Sequence, residues 1–218
     1  MRHHTPAPSA SQWCCTLAAL TLLSGAAWAV PVEVKVVDAR GAPLTDAVVS
    51  IEVKGTKATA APGAEAEMAQ RSRSFAPSVL PIQTGTAVRF PNFDTVRHHV
   101  YSFSQARTFE IRLYAGTPAA PLTFDKAGTA VLGCNIHDRM TGFIHVVNTP
   151  FFAKTSALGT VQLDVPAGEH TVQVWHSSLA DMREPLRQPL KVGSSSQSPT
   201  TLTLPGTGTG LGSSTPGK

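Results

Sequence analysis

The sequence predicts an all-β protein built from short strands packed as sandwiches. Three observations carry this reading. Gly and Pro number 17 each among 218 residues, which favours turns and strands over long helices. Strand-length runs of alternating apolar and polar residues recur along the chain, each bounded by a turn cluster. After residue 148 the pattern changes, and a strand-turn-strand run around Pro166-Ala167-Gly168 answers the one at residues 32–53. Residues 30–54 and 150–192 therefore read as one small, discontinuous sandwich, and residues 68–148 as a second sandwich inserted into it. Insertions succeed at loop tips where chain ends lie close together. The plainer alternative is one enlarged sandwich with extra strands at both ends.

In chain order, residues 32–37 alternate and read as a strand, and Asp38, Gly41 and Pro43 mark a turn. Residues 47–53 form the next strand, and residues 54–67, small and polar, form a loop. Pro77 and Pro81 suit an extended edge strand rather than a central one. Residues 84–86 turn into a strand at 87–90. Further strands are expected at 98–103, 109–114, 121–124 and 130–132. Beyond residue 148, strands at 161–165 and 170–176 flank the turn Pro166-Ala167-Gly168. Leu202 to Leu204 could add one more. Residues 193–218 are rich in Gly, Ser, Thr and Pro and are expected to be a flexible tail.

Residues 1–29 read as a secretory signal peptide. Arg2 and the start amine supply positive charge, residues 13–23 are apolar, and Ala27-Trp28-Ala29 is a small-x-small cleavage site. The apolar run is too short for a comfortable membrane span. Export to the periplasm follows as the expectation. Cleavage would remove Cys14 and Cys15 and leave Cys134 as a lone thiol, which cannot build an internal disulfide. Metal ligation is a physical reason to keep it. Charged residues make up 15% of the chain, with a net charge of +4 and both signs interspersed, so a nucleic-acid patch is not expected.

The informative stretch is residues 131–142, Val-Leu-Gly-Cys-Asn-Ile-His-Asp-Arg-Met-Thr-Gly. Cys134, His137 and Met140 recur every third residue. A thiolate, an imidazole and a thioether suit copper better than zinc, which seldom recruits a thioether, while hard cations want oxygen. An electron-transferring copper site needs one more imidazole. His98 is the strongest candidate, with His99 beside it as the alternative. On a strand their side chains face opposite ways, so one of them meets the metal.

This pattern resembles the cupredoxins, the small blue copper proteins. Their ligand loop has the spacing of Cys134, His137 and Met140, followed by Gly142 and a β-branched strand. Upstream they carry an apolar strand, an Asn and a ligand His that opens the next strand. Here these are residues 88–90, Asn92 and His98. The resemblance covers about residues 68–148. It implies a Greek-key sandwich holding one type 1 copper on His98, Cys134, His137 and an axial Met140. It also implies that Asn92 ties loops together beside the site. The position after the first ligand His is usually Asn in relatives. Here it is His99, and Asn135 is expected to take over a cross-loop hydrogen bond. The flanking segments resemble a carboxypeptidase regulatory-like, or transthyretin-like, sandwich.

The resemblance implies a monomeric electron carrier, not an enzyme, serving a redox donor and a redox acceptor protein. With all four copper positions filled, none is open for substrate. Asp138 and Arg139 flank His137, and Arg97 precedes His98, so partner contact is expected to be polar and salt-sensitive. The competing readings are a copper chaperone or storage module without electron traffic, and a structural partner-binding sandwich. The first usually offers Met-rich or multi-His clusters, which this chain lacks. The second leaves the ligand quartet unexplained.

Overall fold

The computed structural model describes Met1 and residues 29–118, 120–179, 184–195 and 197–205. The expected signal segment, with Cys14 and Cys15, and the chain beyond Pro205 lie outside the described residues. Among these residues the protein is all-β, and no helix is long and apolar enough to cross a membrane. The chain opens with β1 (Ala29–Val37), β2 (Val48–Val53), β3 (Glu65–Glu67), β4 (Ala69–Arg71), β5 (Ser74–Ala76) and β6 (Val79–Gln83). It continues with β7 (Thr86–Arg89), β8 (His98–Ser104), β9 (Arg107–Tyr114), β10 (Leu122–Phe124), β11 (Gly128–Leu132) and β12 (Gly142–Val147). It ends with β13 (Phe152–Lys154), β14 (Thr160–Pro166), β15 (Gly168–Trp175), β16 (Leu186–Val192) and β17 (Thr200–Thr203).

Two hydrophobic cores account for this order. The first gathers residues from both ends of the chain, between the sheets β14-β1-β17 and β13-β2-β15-β16. β1 shows why: Val32, Val34 and Val36 are fully buried, while Glu33 and Lys35 between them point away, the period-two pattern of a half-buried strand. The second core draws only on residues between Met68 and Val146. Around it lie the sheets β10-β7-β3 and β11-β12-β6 and the hairpins β4-β5 and β8-β9. β6, with Pro81, occupies the outer position of its sheet, where a missing N–H costs least.

The structure corrects two expectations. The flexible tail does not begin at residue 193. β17 pairs in parallel with β1, and Leu202 and Leu204, two residues apart, are both buried in the first core. Two leucines on one face outweigh the polar composition around them. The loop expected over residues 54–67 is likewise shortened. β3 pairs in parallel with β7, and Arg89 holds Glu65 through two nitrogens at 2.8 and 3.0 Å.

The two sandwiches meet through Trp175, which is fully buried against Phe143 and packs with Val48 and Val79. Its indole also stacks on the imidazole of His145, 4.9 Å between centroids and 18° between planes. His145 lies on β12, and its Nδ1 is 2.9 Å from Thr129 Oγ1 on β11. Burial pushes the His145 pKa down from 6.5 to about 4. The ring is therefore neutral in the folded protein and takes up a proton more readily once unfolded. Stability is complete above pH 6.5, falls as the pH drops below that value and levels off near pH 4. The His145 contribution to that loss is on the order of 3 kcal/mol. His176, also shifted down by burial, adds to the same slope. Denaturant midpoints of the copper-free protein between pH 7 and pH 4 check this, and His145→Gln should flatten most of the dependence.

Candidate metal centre

Two strands deliver the site. β11 ends at Leu132, and the chain runs through Gly133 to Cys134. β8 begins at His98. Tyr101 and Gly133 exchange both backbone hydrogen bonds, at 3.0 and 3.1 Å, and so tie the two strands together at the end that carries the site. A register irregularity between His98 and Val100 disturbs the alternation of β8 there. Bulges of this kind re-aim side chains. Here both histidines are buried, and they take different partners.

His98 is fully buried, and its Nδ1 lies 3.8 Å from Cys134 Sγ. His137 Nδ1 lies 3.9 Å from the same sulfur. The three ligand atoms all fall within 4.8 Å of one another. These separations fit a shared ion. Metal–sulfur and metal–nitrogen bonds of about 2.3 and 2.0 Å at trigonal angles place sulfur and nitrogen about 3.8 Å apart. Met140 is buried in the same core cluster as Cys134, and its N–H donates to the His137 carbonyl at 2.9 Å, closing a turn in the ligand loop. A soft thiolate and two imidazoles, with a thioether residue in the same core cluster, make a donor set that fits copper.

The structure separates the two adjacent histidines. His99 turns away from the sulfur: its Nδ1 meets the Asn135 side-chain amide at 2.9 Å, and its Nε2 lies 3.0 Å from Glu110. His99 and Asn135 thus lock the ligand loop to β8 from outside. Asn92 works on the other flank. Its amide donates to the carbonyls of Val96 and Tyr114, and its carbonyl accepts the Asp94 N–H.

Asp94 is the residue that sequence reasoning missed. Its carboxylate lies 2.8 Å from His98 Nε2, which leaves Nδ1 facing the sulfur. A carboxylate on the far nitrogen fixes ring orientation and raises ligand basicity. Asp94 is itself held by the backbone N–H groups of Ser72 and Arg73, at 2.7 and 2.9 Å. Those donors, with His98, lower its pKa, the Arg73 N–H most of all. Ser72 and Arg73 form the two-residue turn between β4 and β5, with φ of 52° and 58°. Left-handed backbone costs non-glycine residues about 1–2 kcal/mol each. Hydrogen bonds to a charged group return about 1.5–3 kcal/mol each, enough to hold the turn. The only sequence signal was a carboxylate four positions before a candidate ligand. Nothing in Arg71-Ser72-Arg73-Ser74 marks the turn, which usually asks for Gly or Asn.

Tyr114 closes the floor. Its hydroxyl sits 2.7 Å from Gln70 Oε1 and 2.8 Å from the Phe90 carbonyl, and burial pushes its pKa up to about 12. At the surface, the two ligand loops expose Phe93, Val96 and Ile136 as well as Arg97, Asp138 and Arg139. The face is thus more mixed than the charges alone suggest.

Fold and site together describe a β-sandwich protein with a His-Cys-His cluster, His98 and Cys134 buried and His137 half-buried, at one end of its second sandwich. No family model and no curated protein matches the chain. Solved structures do. A copper-containing nitrite reductase from Thermus scotoductus SA-01 is 28% identical over 42% of this chain, with a TM-score of 0.37. This chain spans only 26% of that protein's length. A reduced mutant of amicyanin is 21% identical over 45% of this chain and 98% of its own, with a TM-score of 0.35. A purple cupredoxin from Nitrosopumilus maritimus is 20% identical over 38% of this chain and 99% of its own, at 0.33. Cupredoxins are thus among the structures that the chain is similar to.

Removing the Asp94 carboxylate should loosen both the turn and the ring. Asp94→Ala is expected to weaken metal binding roughly 10–100-fold, read by competition titration. It should also speed amide exchange at Ser72 and Arg73, which a change confined to the ligands would not do.

Proposed function

We propose that this chain is an exported blue copper protein that carries single electrons between a redox donor and a redox acceptor. One type 1 copper would sit on His98, Cys134 and His137, with Met140 as the weak axial ligand. The single observation that carries this is the pair of sulfur–nitrogen separations, 3.8 and 3.9 Å, in a pocket where the sulfur and one ring are buried. Copper would supply the one-electron chemistry. The protein's part is to keep its ligands still. Asp94 holds the His98 ring, the Asn135–His99 contact braces the loop, and the Tyr101–Gly133 pair sets the strand spacing. Ligands that do not move between oxidation states keep reorganisation small.

The carrier reading, rather than an enzyme, rests on the donor set: with Met140 as a fourth donor, no position would be left open for a substrate. Partners would dock at the ligand loops, where Arg97, Asp138 and Arg139 supply steering charge and Ile136 an apolar contact. The periplasm is the compartment that the signal-like first 29 residues propose. The domain proposal is an insertion. The chain leaves a regulatory-like sandwich after Val53, builds the copper sandwich, and re-enters near β13 to complete the first core.

Adding Cu(II) to the purified protein should produce an intense visible thiolate-to-copper band. The band should vanish in Cys134→Ser and in His98→Ala but survive in His99→Ala. Colourless uptake of Cu(I) alone would favour a chaperone or storage role, and absence of metal uptake a structural one.

A further inference from the structure

The hairpin β8-β9 stands as a two-stranded sheet, and no other strand among the described residues pairs with β9. β8 is closed on its far side by the Tyr101–Gly133 bonds, so the free edge belongs to β9. With eight residues it is the longest edge strand among the described residues. The long edge strands β14 and β16 each carry a proline, Pro166 and Pro189, which blunts an edge; β9 carries none. Ser104 and Arg107 pair directly across the turn of the hairpin. Such a pair exchanges both backbone bonds, and by alternation Phe109 and Ile111 also bond to β8. The N–H and C=O groups of Thr108, Glu110 and Arg112 therefore face outward. Glu110 and Arg112 stand side by side at that edge, their side chains 49% and 88% exposed, with Arg112 Nε 3.7 Å from the carboxylate.

We propose that the free edge of β9 receives the β9 of a second copy of this chain, in an antiparallel pair whose two-fold axis passes at Ile111. The charges choose that register. Centred on Glu110, the pair would set Glu110 against its own copy, and centred on Arg112 it would set Arg112 against its own. Like charges directly opposite are destabilising. Centred on Phe109, it would set Glu110 against Thr108. Only with the axis at Ile111 does each Glu110 lie opposite the Arg112 of the other copy, and symmetry repeats the contact. The same register brings Ile111 against Ile111, and Phe109 against Leu113, which is half exposed in the single chain. Charge on an edge strand ordinarily repels a neighbour. Here the alternating signs admit one register of the same strand. Beyond Arg112 the edge closes, because the Tyr114 carbonyl accepts from the Asn92 amide. The contact is therefore short and the dimer weak. It bears on the site nonetheless. Glu110 lies 3.0 Å from His99 Nε2, so Arg112 of the second copy comes up against the carboxylate that flanks the brace of the ligand loop. The proposal departs from the monomer that the family resemblance implies, and it holds with or without copper.

Sedimentation velocity of the purified protein, from about 1 μM to about 1 mM at low salt, should show a monomer–dimer equilibrium that added salt weakens. Arg112→Glu sets like charges opposite one another and should raise the dissociation constant roughly tenfold, and so should Glu110→Arg. The double exchange, Glu110→Arg with Arg112→Glu, restores opposite charges in the same register and should recover the dimer. In the native protein, amide exchange at Glu110 and Arg112 should slow as the concentration rises. Ile111, already bonded to β8, should not change. A monomer at every concentration would overturn the proposal. So would a dimer that tolerates Arg112→Glu, or one that the double exchange fails to restore, because the chains would then meet elsewhere.

Discussion

The two backbone hydrogen bonds between Tyr101 and Gly133 are the constraint on which the site depends. They join β8 to the end of β11 a few residues from His98 on one strand and one residue from Cys134 on the other. Each of those ligands sits on a segment that ends or begins just there. A shift of the pairing by one residue would turn the side chains of β8 to the opposite face and carry His98 away from the sulfur. Gly133 leaves the Tyr101 ring room to lie over this pairing, and a side chain there would push the ring aside. Gly142, on the far side of the ligand loop, is as crowded: a Cβ there would lie 2.8 Å from Phe75 Cβ and 2.9 Å from its ring. The loop from Cys134 to Met140 is thus held between two glycines, each pressed against an aromatic ring.

Around that frame, polar contacts settle what the strand pairing leaves free. A ligand histidine can rotate about two torsions, and burial alone does not choose between its nitrogens. The Asp94 carboxylate does, by engaging Nε2 of His98. The choice reaches back through Asp94 to the Ser72–Arg73 turn, so a hairpin remote in sequence helps orient the ring. His99 contributes from the opposite face through Asn135. Adjacent histidines therefore do different work: one faces the sulfur, and the other fastens the loop that carries it.

What was legible in the sequence follows from the range of the interactions. The strands that alternate cleanly, such as β1, β9 and β14, depend on period-two burial, which is written locally. The Cys134, His137 and Met140 spacing is local too, and so is His98 at a strand start. What escaped was held by distant partners. The sequence offered a strand at Leu202 to Leu204, but only β1, pairing alongside, decides that it forms within so polar a stretch. β3 looks like loop because Glu65 and Glu67 have no reason to extend until β7 and Arg89 lie alongside. The Ser72–Arg73 turn lacks the usual residues because the Asp94 carboxylate, some twenty positions on, supplies what glycine would otherwise provide.

The same reasoning assigns a physical role to the outer sandwich. β12 leads directly from the ligand loop, and its outward residues Phe143 and His145 are covered by Trp175 rather than by water. A strand in that position, if exposed, would leave the C-terminal side of the loop anchored only by its sheet neighbours. Covering it with a buried indole fixes the strand from outside while β6 and β11 pair it within the sheet. Through Trp175 the small sandwich thus bears on the strand that leaves the ligand loop, although its described residues offer the centre no ligand.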